Sequence, residues 1–271
     1  EALRSGPLIL KPDGGHQGDG IYLITSAECL ERRRSTLQQA HGETRAIVQR
    51  YINEPMLLGG KKFDLRLYVL ILSLEPLRVF VCKEALVRCC TIDYEPVSSS
   101  NSVSLGMHLT NHAVNKFDPG YQHAANADDE SAAQGADTKQ ESTAIPEDIV
   151  GNKRTLSCVF KQLETEQNVD TEALWTKLCT MLKEAAGVLA SSLNDRAGAG
   201  TETPQVAAQR DCFQLFGFDV LLDKDATPHL LEVNDKPAMG YDSVVPCSSD
   251  GIEEESDKDG ECSAAALRLK A

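Results

Sequence analysis

Three stretches of the chain combine charged side chains with the backbone freedom that phosphate chemistry needs. In the first, Lys11-Pro-Asp-Gly-Gly-His-Gln-Gly-Asp-Gly-Ile21, glycines at 14, 15, 18 and 20 let the backbone turn tightly and present N–H groups to an anion. Lys11, at the exit of an apolar run, can reach a phosphate as a point charge. No Gly-Lys-Ser/Thr follows, and the glycine spacing is not that of a dinucleotide fingerprint. Taken alone, the stretch also reads as a hairpin turn. In the second, Lys61-Lys-Phe-Asp-Leu-Arg-Leu-Tyr-Val-Leu70, strand alternation puts Lys62, Asp64, Arg66 and Tyr68 on one face and Phe63, Leu65, Leu67 and Val69 on the other. The polar face then shows plus, minus, plus at ~7 Å intervals. Its bland alternative is a solvated face whose charges pair with one another.

The third stretch is Phe216-Gly-Phe-Asp-Val-Leu-Leu-Asp223 followed by Leu230-Leu-Glu-Val-Asn234. Asp219 and Glu232 each lie in an apolar run, where an unpaired carboxylate costs several kcal/mol. With Asp223 to Pro228 as the turn, Leu222 faces His229 and Asp219 faces Glu232, their Cβ atoms ~5 Å apart. Two such carboxylates repel unless a cation or a proton sits between them. With the amide oxygen of Asn234 on the same face as Glu232, they form an all-oxygen set suited to Mg2+. A carboxylic dyad or ordinary surface acids are the alternatives. Together the three stretches describe a phosphoryl-transfer site in which positioning and charge neutralisation do most of the work.

The elements that must hold these residues follow from pattern. Leu8 to Leu10 and Ile21 to Ile24 read as strands around the glycine-rich loop, and Ser26 caps a predicted helix over 27–35. Further strands are predicted at 47–52, 61–74 and 79–82, and a hairpin pairs 213–222 with 229–233. Strands at such short intervals imply antiparallel members and an α+β class. Residues 171–193 place Leu174, Leu178, Met181, Ala185 and Leu189 on one helical stripe, with Asp170 as N-cap. Trp175 and Met181 read as core filler. Residues 121–148, poor in large apolar side chains, read as disordered, 194–209 as a loop, and 248–271 as an acidic disordered tail.

The 271 residues carry a formal charge of −14, most of it in two local segments, 121–148 and 249–261. That balance excludes a general nucleic-acid binder. No apolar run approaches the ~20 residues of a spanning helix. The nine cysteines are scattered without a CxxC pair, so neither a metal ribbon nor a disulfide framework is expected, and reduced thiols of a cytosolic protein are. The chain lacks a signal-peptide pattern and an initial Met, and runs from Glu1 almost at once into a strand, as a fragment would.

The motifs LILKPDGGHQGDGI (8–21), VQRYINEPMLLGGKKFDLRLYVLI (48–71), MHLTNHAVNK (107–116), NKRTLS (152–157) and CFQLFGFDVLLDKDATPHLLEVNDKP (212–237) resemble those of the tubulin tyrosine ligase-like family, and are most similar to its polyglutamylase branch. The resemblance implies an ATP-grasp fold without its N-terminal lobe. Residues 1–50 would be part of the central lobe, 51–247 the C-terminal lobe and 248–271 the tail. It implies that Lys11, Gln17 and Gly18 approach the nucleotide phosphates and that Gln49, Arg50, Tyr51 and Ile52 line adenine. Lys62, Asp64, Thr110 and Asn111 would also contact the nucleotide. Arg66 and Arg88 would face the reacting carboxylates. Lys116 and His112, which stands where the family usually has Tyr, would meet the incoming amino acid. Asp219, Glu232 and Asn234 would ligate Mg2+.

The implied activity is ATP- and Mg2+-dependent ligation of free glutamate to the acidic tails of tubulin through an acyl-phosphate. The expected protein is a monomer of cytoplasm and cytoskeleton, with the cilium or flagellum axoneme and basal body as sites, and without nucleic-acid or membrane partners. Glycine or tyrosine ligation, a non-tubulin acceptor and a non-catalytic nucleotide-binding scaffold on microtubules are the competing readings.

Overall fold

The computed structural model describes residues 3, 6–13, 18–41, 45–74, 76–122, 151–198, 213–239 and 266–268. It is a mixed α/β chain with antiparallel strand pairs. Two compact units divide it, the first made of Glu1–Asp64, Arg88–Gln122 and Leu222–Asp225, the second of Leu65–Val87, His123–Leu221 and Ala226–Ala271.

In the first unit β1 (Leu8–Pro12) lies between β2 (Tyr22–Ile24) and β3 (Ala46–Arg50). Alternation on β1 buries Leu8 and Leu10 with Ile24, against Tyr22, Cys29 and Leu30. α1 (Ala27–His41) starts where the sequence predicts, the Cys29 N–H donating to Ser26 Oγ at 3.1 Å, and runs beyond residue 35. β4 (Leu57–Leu58) turns into β5 (Lys61–Leu74) through Gly59 and Gly60, whose φ angles of +52° and +79° suit a tight hairpin turn that side chains resist.

β5 has the predicted limits, but both of its faces are covered. Phe63, Leu65, Leu67 and Val69 are buried as expected, and Lys62, Asp64 and Tyr68 on the opposite face are buried too. The solvated charge row is therefore replaced by buried charges, each satisfied from elsewhere in the chain.

In the second unit β10 (Pro228–Asn234), β9 (Gln214–Leu222), β5 and β6 (Leu77–Cys82) are successive neighbours. β5 and β9 pair with Leu65 opposite Val220, Leu67 opposite Phe218 and Arg66 opposite Asp219. β7 (Leu86–Asp93), most of which belongs to the first unit, is followed by β8 (Lys153–Thr155), α4 (Leu156–Gln167) and α5 (Thr171–Gly198). Asp170 Oδ1 accepts the Ala173 N–H at 2.9 Å, as an N-cap does.

The buried stripe of α5 is Leu174, Leu178, Leu182, Ala186 and Ala190. Met181, Ala185 and Leu189 stand half-buried at its margin. The predicted stripe drifts by one residue because both readings satisfy a 3.6-residue period, and only packing chooses between them. Trp175 fills space against Phe160, edge to face at 6.5 Å. α5 also continues through residues 194–198, where a loop was expected, since extending a formed helix costs little until a glycine ends it. The rest of that loop, nearly all of the 121–148 segment and most of the acidic tail lie outside the described residues. Of the tail, Ala266–Arg268 forms β11 beside β6, because this end of the tail is apolar enough to pair.

Candidate functional site

The first unit buries a cation on purpose-built partners. Lys62 is 6% exposed, and its ammonium donates to Tyr51 Oη at 3.0 Å and to the His108 carbonyl at 2.9 Å. It also lies 4.3 Å from the centre of the Tyr51 ring. Burial lowers the Lys62 pKa to about 8, opposed by Cys90 and Asp64 and reinforced by the charge of Lys11. Lys11 on β1 is thus close enough for the two cations to repel, an arrangement that an anion between them relieves.

His108 closes this group. Its Nδ1 is 3.1 Å from Tyr51 Oη, and its ring meets Tyr51 and Tyr94 edge-on, each at 5.8 Å. Burial, helped by the Lys62 charge, pushes the His108 pKa down to about 4, so the ring is neutral at physiological pH. Burial pushes the Tyr51 phenol far above its usual range. His108 Nε2 is buried without a hydrogen-bond partner.

Beside Lys62, Asp64 is 2% exposed and holds two partners. Arg88 grips it with both Nε, at 2.8 Å, and a terminal nitrogen, while Thr110 Oγ1 donates to it at 2.7 Å. Such forked, charge-assisted pairing fixes the guanidinium plane. Gly18 of the glycine loop has φ +87°, and a Cβ there would sit 2.9 Å from Val114 Cγ2 and 3.4 Å from Asn111 Cγ. The loop backbone therefore packs directly on the Asn111 and Val114 side chains, which explains a glycine at 18.

Other predicted residues are placed more loosely. Gln49 and Arg50 are exposed on β3, Ile52 is half-buried, and the Tyr51 N–H is engaged by the Pro7 carbonyl. His112 faces the Tyr121 hydroxyl at 3.1 Å, and exposed Lys116 lies 4.7 Å from the Phe117 ring centre. Gln17 lies outside the described residues.

In the second unit Arg66 and Asp219 form a forked ion pair across β5 and β9, with Arg66 Nη2 donating to Oδ2 at 2.8 Å and Nε to Oδ1. Asp219 is 2% exposed. Arg66, from the strand on its other side, supplies a neutralising charge to the buried Asp219. Hairpin register alone considered only β10. On β10 the Asn234 amide donates to Glu232 Oε1 at 3.2 Å, with Glu232 exposed. Among the described residues no three His, Cys, Asp or Glu side chains gather as a metal cluster. The cysteines at 29, 82, 89, 90, 158 and 179 form no disulfide with one another.

Sequence reasoning missed His108 and Gly217. The signal for the first was a histidine inside Met107-His108-Leu109, immediately before the singled-out Thr110 and Asn111. The signal for the second was a glycine interrupting an otherwise bulky strand.

The profile of the tubulin-tyrosine ligase family matches residues 2–246, and the chain belongs to that family. Among its relatives, tubulin polyglutamylase ttll-11 of Caenorhabditis elegans is 36% identical over 88% of this chain and 29% of its own length. Tubulin polyglutamylase TTLL11 of Homo sapiens is 35% identical over 85% of this chain and 28% of its own length. Tubulin polyglutamylase ttll6 of Danio rerio is 37% identical over 87% and 26%. The chain thus spans less than a third of the length of these relatives.

Proposed function

We propose that the chain carries the nucleotide-binding and ligation machinery of an ATP-dependent enzyme that joins glutamate to glutamate side chains or chains on tubulin tails. The observation that carries this reading is the buried Lys62, with its depressed pKa and Lys11 within electrostatic reach, beside Asp64, Arg88 and Thr110. A buried ammonium is costly without an anion, and a triphosphate supplies one. The names of the relatives, tubulin polyglutamylases, supply the substrate and the amino acid.

The proposed fold is ATP-grasp, and the proposed chemistry has two steps. The γ-phosphoryl group of ATP passes to an oxygen of the acceptor carboxylate, giving an acyl-phosphate and ADP. The amine of free glutamate then attacks the acyl carbon, the C–N bond forms, phosphate leaves with the former C–O bond electrons, and the amine proton goes to solvent. Unactivated carboxylates are poor electrophiles, which is why ATP is required. Lys62, Lys11 and the Gly18 backbone hold the phosphates in this scheme, while Arg66, Arg88, His112 and Lys116 orient carboxylates and the amino acid. The fit of Mg2+ rests on the donor set. Glu232 and Asn234 stand two residues apart on one strand, and with Asp219 they make an all-oxygen set of hard donors. The ion would neutralise charge on the phosphates. Cytoplasmic and cytoskeletal residence, including axonemes, follows from that substrate.

The test is incubation of full-length protein with tubulin, ATP and labelled glutamate, glycine or tyrosine in turn. Label from glutamate alone, lost in Glu232→Gln, supports the proposal. Label from glycine or tyrosine, or none from any of them, overturns it.

A further inference from the structure

Lys62 is a donor only, so at 3.0 Å from Tyr51 Oη the phenol oxygen must accept from it. The hydroxyl proton then has His108 Nδ1 at 3.1 Å as its hydrogen-bonded acceptor, with the Tyr94 oxygen, whose own proton goes to the Asn53 carbonyl at 2.9 Å, as the neighbouring alternative. We infer that His108 is a positioning residue: by taking the Tyr51 proton at Nδ1 it locks the phenol oxygen as an acceptor for Lys62 and so holds the ammonium charged and aimed for an anionic ligand. This rests on the reading of Lys62 as part of a nucleotide site.

Further contacts hold this arrangement. The His108 carbonyl takes a second Lys62 proton at 2.9 Å, so both ends of this residue act on one ammonium. The third Lys62 proton has no hydrogen-bond partner among the described residues. The imidazole is 1% exposed and held edge-on by Tyr51 and Tyr94, which fixes its plane. Its neutrality, favoured by burial and by the neighbouring ammonium, keeps Nδ1 an acceptor. The groups that act electrostatically on Lys62 are Lys11 from β1, Asp64 from its own strand and Cys90 from β7, while Tyr51 and His108 bond it directly. Without the imidazole acceptor, the Tyr51 proton would turn towards the Tyr94 oxygen or the neutral amine of Lys62. The second of these turns favours the uncharged lysine.

Two readouts test this in the full-length protein. The Lys62 13Cε resonance, followed by pH titration in lysine-labelled protein without nucleotide, reports the Lys62 pKa directly. His108→Phe is expected to lower that midpoint by about one pH unit, and ADP affinity near pH 8 by about tenfold. His108→Gln, whose amide oxygen can accept the same proton, is expected to restore most of both. In a Tyr51→Phe background, which has no hydroxyl to direct, exchanging Gln for Phe at 108 should leave the midpoint unmoved. Equal midpoints in wild type, His108→Phe and His108→Gln would overturn the inference, as would a Gln variant that behaves like Phe. If His108→Phe does not fold, His108→Leu, which likewise offers no acceptor, takes its place in every comparison. A protein whose midpoints move as expected but which binds no ADP would sink the nucleotide reading and leave the relay standing.

Discussion

A lysine ammonium and an imidazole that share one phenol constrain each other's protonation, and that coupling should be visible in stability. His108 has its pKa lowered from 6.5 to about 4 in the folded chain. Between those values the unfolded state binds the proton and the folded state does not, so stability falls as pH drops from about 6.5 towards 4. The full effect is of order 3 kcal/mol. Lys62 is lowered from 10.5 to about 8 by the same cause, burial of its charged form. Over that second window the unfolded state again binds more protons, and stability rises as pH climbs through it. Urea unfolding across pH is expected to show both slopes, with a plateau between, and His108→Gln is expected to lose the acid slope alone. An unchanged acid slope in that variant would contradict the assignment.

Strand pairing explains why Arg66 meets Asp219, and one glycine makes room for it. Gly217 stands opposite Tyr68, two residues from Asp219 on β9, and a Cβ there would sit 2.8 Å from Arg66 Cδ and 2.7 Å from Pro237 Cβ. Gly217→Ala is therefore expected to push the guanidinium off the buried carboxylate and to destabilise the protein by about 3 kcal/mol. In an Arg66→Ala, Asp219→Leu background the part of that loss that comes from the ion pair should vanish while the Pro237 contact remains, and wild-type stability in Gly217→Ala would refute the account. Strand β5 was legible to its end residues, because period-two alternation, Gly59-Gly60 before it and Pro76 after it all agree. The α5 stripe was legible only to within one residue, since period alone does not say which side of a 28-residue helix meets the sheet.

For the molecule as a whole, the charges of the candidate site were legible and their partners were not. Lys62, Asp64 and Arg66 announce themselves by alternation, but Arg88, Thr110 and Asp219, which satisfy two of them, come from distant segments. Family resemblance pointed to those three residues, whereas His108 carries no local pattern beyond its place beside them. Asp219 shows the same limit, because a carboxylate in an apolar run demands a cation without saying whether an arginine, a metal ion or both provide it. The central claim is that the buried Lys62 is the anchor of a nucleotide site, retained at a cost to the ligand-free fold. Calorimetric titration of ADP into full-length wild-type protein and Lys62→Met, with thermal unfolding of both, tests it most directly. The account predicts nucleotide binding in wild type, at least about 100-fold weaker binding in Lys62→Met, and a nucleotide-free melting temperature for the variant no lower than wild type. Equal ADP affinity in the two proteins would contradict it.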